Sequence, residues 1–380
     1  MRSFRRIGFA FLGAMLGAVL AACASGTQSA PPADRAETHR AKEAAPAPTI
    51  ATPPVPAPVD AAPAMPSPPP VDPLAELLAR SGSESTSLGS PTNGRIEGAV
   101  ALPDRTPFLI RNPKSPNPDG KFGTVELVQA LVRAGARVAD KYSGAELVVN
   151  DIGLPRGGEI EHHGSHESGR DADVLFYYRH AKGGAVFPAK GIPVEPDGTG
   201  WDYGDLADPK DDVKVRIDLP RTWAFAAALL EDEALDVQRI FLVEHVRTML
   251  LDEAAKQKAK AATIARFADL TCQPSTAHDD HFHIRVYCTA EDIAAGCEDS
   301  QPIYPWHRAK LTALGTAPVI AKPQPRVKVA AADASDPKEE NLDPMEAAAK
   351  SGAVHARVTA FLKRREAWLA QPHPGRLYCK

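Results

Sequence analysis

The sequence is short of the features that would define several common protein classes. Its formal net charge is only −4 over 380 residues, which gives no electrostatic reason to expect nucleic acid or an anionic membrane surface as a partner. None of its five cysteines forms a Cys-x-x-Cys pair, which disfavours a closed structural zinc site. A His-Glu-x-x-His element is also absent, so the glutamate base of that motif is not available.

The apolar run at the N-terminus is too short to span a bilayer. It covers residues 7–20, about 14 residues, whereas a spanning helix needs roughly 20. Three arginines precede the run, and Leu-Ala-Ala-Cys at positions 20–23 resembles the lipobox of bacterial lipoproteins. We expect residues 1–22 to be a signal peptide and Cys23 to carry lipid, the alternative being an ordinary cleaved secretory signal. Ala24 after the cysteine favours the outer membrane, so the expected location is the periplasm, with the lipid as membrane anchor.

Two segments have the composition of linkers. Residues 23–92 are dominated by Ala, Pro, Ser and Thr with almost no aromatic residues, so they cannot bury enough apolar surface to offset their ordering entropy. Residues 316–342 are similar in character. These limits predict a single catalytic domain at 93–315 and a C-terminal helical segment at 343–380.

Four cysteines remain once Cys23 is assigned to the lipid. An even number of cysteines in an exported protein indicates two disulfides. Three pairings are possible, and we favour the short loop Cys288–Cys297 together with Cys272–Cys379, which would attach the C-terminal tail to the domain.

Helical and β-strand patterns alternate through the central domain. Apolar residues recur on one face of a helix over 124–141, and 219–230 has Pro220 in its first turn. Short runs rich in β-branched residues between such segments predict strands, for example 147–149 and 238–243. The pattern indicates an α+β or α/β fold.

The first chemically distinctive segment is residues 162–173, with the sequence His-His-Gly-Ser-His-Glu-Ser-Gly-Arg-Asp-Ala-Asp. It is a glycine-containing loop that leads into a predicted strand. The strand period of two places Asp171 and Asp173 on the same face. Several groups able to bind a metal are therefore expected near one another, with His162 and His163 as the solvated lip of the loop.

The second segment, residues 278–286, ends in strict alternation. As a strand it presents His281, His283 and Arg285 on one face, with imidazoles about 6.5–7 Å apart along the strand. Two imidazoles at this spacing can serve one site in different roles. Two such clusters in one chain are poorly explained by structural needs alone.

The two motifs resemble those of a known family. Ser-His-x-x-Gly-x-Asp-x-Asp at 165–173 and His-x-x-His-x-His-x-Arg at 278–285 are similar to motifs of the penicillin-insensitive murein endopeptidases. That family belongs to a wider group with lysostaphin-type enzymes and D-Ala-D-Ala metallopeptidases. The resemblance runs from about 93 to 302 and includes 121–123, 151–158 and 297–299.

Membership of this family would imply a specific fold and site. We expect an α+β fold with a small central antiparallel sheet, flanked by helices and holding one zinc ion in a single catalytic domain. The resemblance makes His166, Asp173 and His283 the zinc ligands. Three N/O ligands with one open position are typical of catalytic zinc, and His and Asp donors suit zinc better than calcium or magnesium.

The resemblance also implies roles for the neighbouring polar residues. His281 and His278 become catalytic groups beside the metal, one stabilising an oxyanion and one orienting water or acting as base. Asp171 is expected to orient a ligand histidine. Arg285 is expected to pair with a substrate carboxylate or to form a surface salt bridge. Arg170 stands where the family usually has an apolar residue, which suggests a more polar pocket beside Asp171.

The implied function is hydrolysis of the D-Ala–meso-diaminopimelate cross-link between peptidoglycan stem peptides. One alternative keeps the zinc and changes the bond, as in a D,D-carboxypeptidase or an L,D-endopeptidase. Another alternative is a lipoprotein that binds peptidoglycan as a tether without catalysis. The expected partners are cross-linked stem peptides and, through the N-terminal lipid, the membrane, with no role for nucleic acid.

Overall fold

The structure is a computed structural model that describes residues 72–274, 276–322, 344–370 and 379. All of these residues fall within one compact unit, 68–380. The predicted signal peptide, the lipidation site Cys23 and most of the first linker lie outside them. Among the described residues, no helix combines the length and the apolar character needed to cross a membrane.

The described residues form α-helices and mostly short strands, with one 3-10 turn at Gly82–Glu84. The helices are α1 (Pro73–Ala79), α2 (Val125–Lys141), α3 (Leu219–Leu230), α4 (Glu244–Lys256), α5 (Ala261–Leu270), α6 (Ala290–Ala295), α7 (Pro305–Ala313), α8 (Pro344–Lys350) and α9 (Ala356–Leu369). The strands are β1 (Thr86–Ser90), β2 (Asn93–Glu97), β3 (Val100–Ala101), β4 (Leu109–Arg111), β5 (Phe122–Gly123), β6 (Leu147–Val149), β7 (Asp171–Leu175), β8 (Tyr178–His180), β9 (Val186–Phe187), β10 (Thr199–Trp201), β11 (Lys214–Ile217), β12 (Val237–Phe241), β13 (Thr271–Cys272) and β14 (His281–Val286).

The largest sheet has six strands in the order β13-β12-β14-β7-β6-β4. Its inner pairs are antiparallel, whereas the edge strands β13 and β4 run parallel to their neighbours. A four-stranded sheet and two two-stranded sheets accompany it in the described chain. The mixture of helices and sheets is confirmed, but the prediction of one small antiparallel sheet is wrong. The edge strands have only two or three residues, too few to show a strand period in the sequence.

A single apolar core holds the central strands in place. Helix α2 packs on α3, and α3 packs on α4 and α5. Trp223 of α3 meets Phe267 of α5 edge-on, with ring centroids 5.3 Å apart. Their apolar side chains join those of β7, β12 and β14 in one cluster. The core therefore fixes β7 and β14 side by side, and these two strands carry the chemically distinctive motifs.

The folded part of the described chain begins well before residue 93. Helix α1 and strand β1 lie in the stretch that composition assigned to the linker. Leu77 is buried in the main core, and the Gln129 side chain donates hydrogen bonds to the carbonyls of Leu77 and Arg80, both at 2.9 Å. The Ser85 hydroxyl accepts from the backbone N–H of Val125 at 2.9 Å. These long-range contacts order a segment whose composition alone looks disordered.

The structure contains two disulfides, Cys288–Cys297 and Cys272–Cys379. They are the two pairings favoured from the sequence. The first closes a loop around α6, and the second joins the end of the chain to β13. The backbone N–H of Cys379 also donates to the carbonyl of Gln273 at 3.1 Å.

Two helices occupy the C-terminal segment predicted to be helical. Gly352, with φ of +74°, lies between α8 and α9, a left-handed conformation that glycine adopts without steric cost. Val358 and Phe361 of α9 are buried in a small cluster with Tyr203. Residues 323–343, which include most of the second predicted linker, lie outside the described chain.

Candidate metal centre

The two distinctive motifs meet because β7 and β14 are neighbours in the sheet. Their antiparallel register places His283 opposite Asp173 and Arg285 opposite Asp171. Residues more than 100 positions apart in the sequence are thereby brought onto one surface. The alternation predicted for both strands accounts for this placement, but the register itself is a result of the tertiary fold.

His166 is held by the loop before β7 and is fully buried. Its φ is +78°, a conformation that is uncommon for residues other than glycine and needs support from its surroundings. That support comes from the Asp171 carboxylate, which accepts from the His166 backbone N–H at 3.1 Å. The Nδ1 atom lies 2.8 Å from the carbonyl oxygen of Ile152. If Nδ1 donates there, Nε2 is left as the free lone pair that a metal requires.

Asp173 lies at the centre of the cluster. Its Oδ1 atom is 3.5 Å from His166 Nε2, 3.3 Å from His283 Nδ1 and 3.7 Å from His281 Nε2. Burial alone would raise the pKa of Asp173, but His166, His281 and His283 outweigh it and hold the pKa well below its usual range. The carboxylate is therefore ionised and faces three imidazoles.

The donor atoms fit a metal ion. His166 Nε2 and Asp173 Oδ1 are buried without a hydrogen-bond partner, which costs free energy unless another group satisfies them. Ligands about 2.0–2.2 Å from a tetrahedral zinc ion are separated by roughly 3.3–3.6 Å. Asp173 Oδ1 lies 3.5 Å from His166 Nε2 and 3.3 Å from His283 Nδ1, and both separations match this spacing. His283 Nε2 lies 3.5 Å from Asp171 Oδ1 instead.

His163 is part of the cluster, contrary to the expectation that it lines a solvated lip. Its side chain is only 15% exposed, and ligand atoms of His163, His166 and Asp173 all lie within 4.8 Å of one another. Its Nε2 is 3.0 Å from Asp151 Oδ2 and its Nδ1 is 3.5 Å from Asp173 Oδ2. The sequence feature that could have placed His163 in the cluster is its position three residues before His166. His162, by contrast, is exposed as predicted.

His281 and His278 stand beside this cluster. Burial would lower the pKa of His281, but the carboxylates of Asp280 and Asp173 raise it to about 9. Asp280 Oδ1 lies 2.5 Å from His281 Nδ1, which leaves His281 Nε2 facing Asp173. The ring of His278 is 4.8 Å from that of His281. Burial and the two neighbouring imidazoles keep the pKa of His278 well below its usual range, so the two histidines differ in protonation near neutral pH.

Comparison with known proteins shows which family this chain belongs to. Residues 87–312 match the family model described as penicillin-insensitive murein endopeptidase. The chain belongs to that family. A penicillin-insensitive murein endopeptidase from Haemophilus influenzae is 30% identical over 227 residues, covering 58% of this chain and 69% of the relative. Proteins of the same name from Klebsiella pneumoniae and Escherichia coli are each 27% identical, over 58% of this chain and 72% and 71% of their own lengths.

Two arginines in this member of the murein endopeptidase family form ion pairs with buried aspartates. Arg285 is 8% exposed, and its Nε and Nη2 donate to the two oxygens of Asp171 at 2.7 and 3.0 Å. The pair is buried, which corrects the expectation of a surface salt bridge. Asp171 Oδ1 also lies 3.5 Å from His283 Nε2. Asp171 thus contacts both His166 and His283 and can orient them.

Arg170 does not add polarity to the pocket beside Asp171. It is fully buried, and its guanidinium donates to Asp299 Oδ1 at 3.1 Å and to the Ser87 hydroxyl at 2.9 Å. It also donates to the carbonyls of Val286 and Glu298, both at 2.9 Å. Arg170 therefore ties β7 to the segment after α6, a structural role that its sequence position beside Asp171 does not reveal.

Proposed function

We propose that the protein is a zinc-dependent endopeptidase that hydrolyses the D-Ala–meso-diaminopimelate amide cross-link of peptidoglycan. The observation that carries this proposal is the position of His166 Nε2 and His283 Nδ1, 3.5 and 3.3 Å from the buried Asp173 Oδ1, in a member of the murein endopeptidase family. We assign His166, Asp173 and His283 as the zinc ligands. His163 contacts the other oxygen of Asp173, Oδ2. We assign it the role of supporting that carboxylate, not of binding zinc.

The metal would polarise the scissile carbonyl and make a hydroxide nucleophile available near neutral pH. The remaining roles are those of the protein's own side chains. His283 is kept neutral because burial lowers its pKa to about 4, so its lone pair is available to a cation. The Asp173 carboxylate outweighs burial and raises the pKa of His166, so His166 holds a proton more readily in the absence of a cation. Binding of a cation would release that proton.

The two catalytic histidines divide the remaining roles. His281 is protonated near neutral pH because Asp280 and Asp173 raise its pKa to about 9, and its Nε2 faces the cluster. It can therefore donate a hydrogen bond to the oxygen that becomes negative as the amide is attacked. His278 is neutral and can accept the proton of the attacking water. No acyl-enzyme is involved, which agrees with the family's insensitivity to penicillin.

Digestion of purified, cross-linked sacculi tests the proposal. The soluble protein should retain residues from 72 onward, because α1 and β1 are part of the fold. We expect chromatography to show loss of muropeptide dimers and gain of monomers, abolition by a chelator and recovery with zinc. His166→Ala should be inactive, with His162→Ala, an exposed neighbour, as the matched control. Mass spectrometry of the new termini identifies the bond that is cut.

Other products would point to the other functions considered. Free D-Ala with intact dimers would indicate a D,D-carboxypeptidase. New termini at an L,D bond would indicate an L,D-endopeptidase. Binding of sacculi with no new termini in the presence of zinc would indicate a non-catalytic tether, and it would overturn the proposal.

We also propose that the protein is a periplasmic lipoprotein anchored through Cys23, most simply at the outer membrane. The lipobox-like sequence supports this location, and two disulfides suit an oxidising compartment. Metabolic labelling with a fatty acid should mark the wild-type protein and not Cys23→Ser. Equal labelling of both proteins would remove Cys23 as the lipidation site.

A further inference from the structure

The C-terminal helices lie beyond the region that matches the family, yet one of them, α9, contacts the segment that carries the catalytic histidines. The family match ends at residue 312, whereas α8 and α9 occupy Pro344–Lys350 and Ala356–Leu369. We call residues 276–280, which include His278 and lead directly into His281, the catalytic loop. Helix α9 contacts this loop through Arg365.

Arg365 forms a two-pronged ion pair with Asp279 in the catalytic loop. Its Nε donates to Asp279 Oδ2 at 2.9 Å and its Nη2 donates to Oδ1 at 2.8 Å. Arg365 is 3% exposed and Asp279 is 0% exposed. A planar guanidinium that meets both oxygens of a carboxylate fixes orientation as well as distance. Loss of one partner would leave the other charge buried, which strongly disfavours the same loop conformation.

Asp279 lies between the two catalytic histidines, so its position affects both. Its carbonyl accepts from the backbone N–H of Val194 at 2.8 Å. On one side, the carbonyl of His278 accepts from the N–H of Val243 at 2.9 Å. On the other side, Asp280 contacts His281 Nδ1 at 2.5 Å. Holding the Asp279 side chain therefore limits rotation of the backbone that sets both imidazoles.

A second attachment joins the C-terminal segment to the start of the loop between β13 and β14. The Cys272–Cys379 disulfide links the chain end to β13, immediately before Gln273. The loop between β13 and β14 is thus contacted by the C-terminal segment near both of its ends. A segment serving only to cover apolar surface would not require a buried ion pair at this point.

Helix α9 has enough other contacts to remain docked when Arg365 is changed. Arg364 donates to the two oxygens of Glu195 at 3.0 and 2.8 Å, and Arg357 pairs with Asp212. Phe361 lies in the cluster with Tyr203, and Trp368 packs edge-on against His245 with centroids 5.5 Å apart. The contribution of Arg365 to the loop can therefore be separated from docking of the helix.

We infer that Arg365 is a positioning residue that acts through Asp279 to hold His278 and His281 against the metal cluster. The C-terminal segment then completes the active site of this chain although it lies outside the matched family region. The ordering of the loop stands on the contacts alone, whereas its effect on catalysis rests on the proposed function.

The test compares Arg365→Ala with Arg364→Ala in the otherwise complete chain without its signal peptide. Arg364 is the adjacent residue on α9 and its side chain pairs with Glu195, which is not a residue of the catalytic loop, so it is the matched control. Hydrogen exchange should rise at least about tenfold in peptides covering 276–281 of Arg365→Ala. We also expect kcat to fall roughly 10–100-fold, the range seen when an orienting partner is lost, with KM changed less than about threefold. Arg364→Ala should leave both readouts unchanged.

The outcomes separate this inference from the proposed function. Raised exchange in the loop of Arg365→Ala, with no hydrolysis by any variant or the wild type, would support the ordering role and overturn the endopeptidase proposal. Wild-type exchange and wild-type kcat in Arg365→Ala would overturn the positioning role. If Arg365→Ala does not fold, Arg365→Lys keeps the charge without the two-pronged contact. The lysine variant should then show raised loop exchange and reduced kcat, and wild-type values for both would overturn the inference.

Discussion

Asp173 Oδ1 lies 3.3 Å from His283 Nδ1 across the antiparallel pair of β7 and β14. The two residues are separated by more than 100 positions in the chain, and their contact defines the site. Because the same oxygen also faces His166 Nε2, a change at Asp173 should affect every property that depends on the proposed zinc ion.

Asp173→Asn should bind zinc much more weakly than the wild type. The neutral amide offers a poorer oxygen donor and loses the charge that attracts a cation. We expect a loss of affinity greater than the roughly 10–100-fold decrease typical of outer-shell changes. Elemental analysis of dialysed protein and a competitive zinc titration measure this. A full zinc complement in Asp173→Asn would rule out Asp173 as a ligand.

His163→Ala should weaken zinc binding without abolishing it, whereas His283→Ala should abolish it. His163 contacts the second oxygen of Asp173 and is held by Asp151, which suits an orienting role and an affinity loss of roughly 10–100-fold. Parallel zinc titrations of the two variants check the assignment. The reverse order of affinities would make His163 the third ligand in place of His283.

The activity of the wild type should decline as the pH rises through about 9. The carboxylates of Asp280 and Asp173 raise the pKa of His281 to that value, so its protonated form is present below it and is lost above it. Removing the donor in His281→Ala should lower kcat by about 10²–10³-fold and remove this limb of the profile.

Asp280→Asn provides a second check on the same histidine. Without the adjacent negative charge, the pKa of His281 should fall, and the decline in kcat should begin at lower pH than in the wild type. An unchanged alkaline limb in Asp280→Asn would assign that limb to a different group.

Glu126, at the start of α2, should make the folded state less stable as the pH rises. Burial raises its pKa to about 7 from an ordinary value of 4.5. Because the carboxyl pKa is raised in the folded state, this group favours folding most below pH 4.5. As the pH rises from 4.5 to 7 that contribution is lost, and the free energy of unfolding falls by at most about 3 kcal/mol. Glu126→Gln should therefore raise the free energy of unfolding at pH 8 and change it little at pH 4.

Urea unfolding at the two pH values measures this difference. Glu76→Gln on α1 is the matched control because Glu76 is exposed. Equal effects of the Glu126 change at pH 4 and pH 8 would show that its carboxyl does not titrate differently in the folded and unfolded states.

Local patterns made much of the site predictable. Strict alternation at 281–286 places His281, His283 and Arg285 on one face of a strand, and the structure has β14 over these residues. The helix predicted over 219–230 is α3, with Asp218 as its cap. These features depend on neighbouring residues and on backbone periodicity, which a sequence displays directly.

Other features could not be predicted because they depend on contacts between distant segments. The composition of 246–268, rich in Ala and Lys, favours one long helix. The chain instead forms α4 and α5, with Lys258 at φ of +54° between them. The short edge strands β4 and β13 are defined by their pairing with β6 and β12. Arg170 pairs with Asp299 and Arg285 pairs with Asp171, which lie 129 and 114 positions away in the sequence.

Four features can be read from the amino-acid order: the kinds of donor atoms, their spacing along two strands, the resemblance to the murein endopeptidases and the number of cysteines available for disulfides. Three others arise only when the chain folds: the register that sets His283 opposite Asp173, the entry of His163 into the cluster and the pairing of Arg365 with Asp279. The physical reason is that periodicity is a local property of the backbone. The distance between two side chains far apart in sequence, in contrast, depends on how the whole core packs.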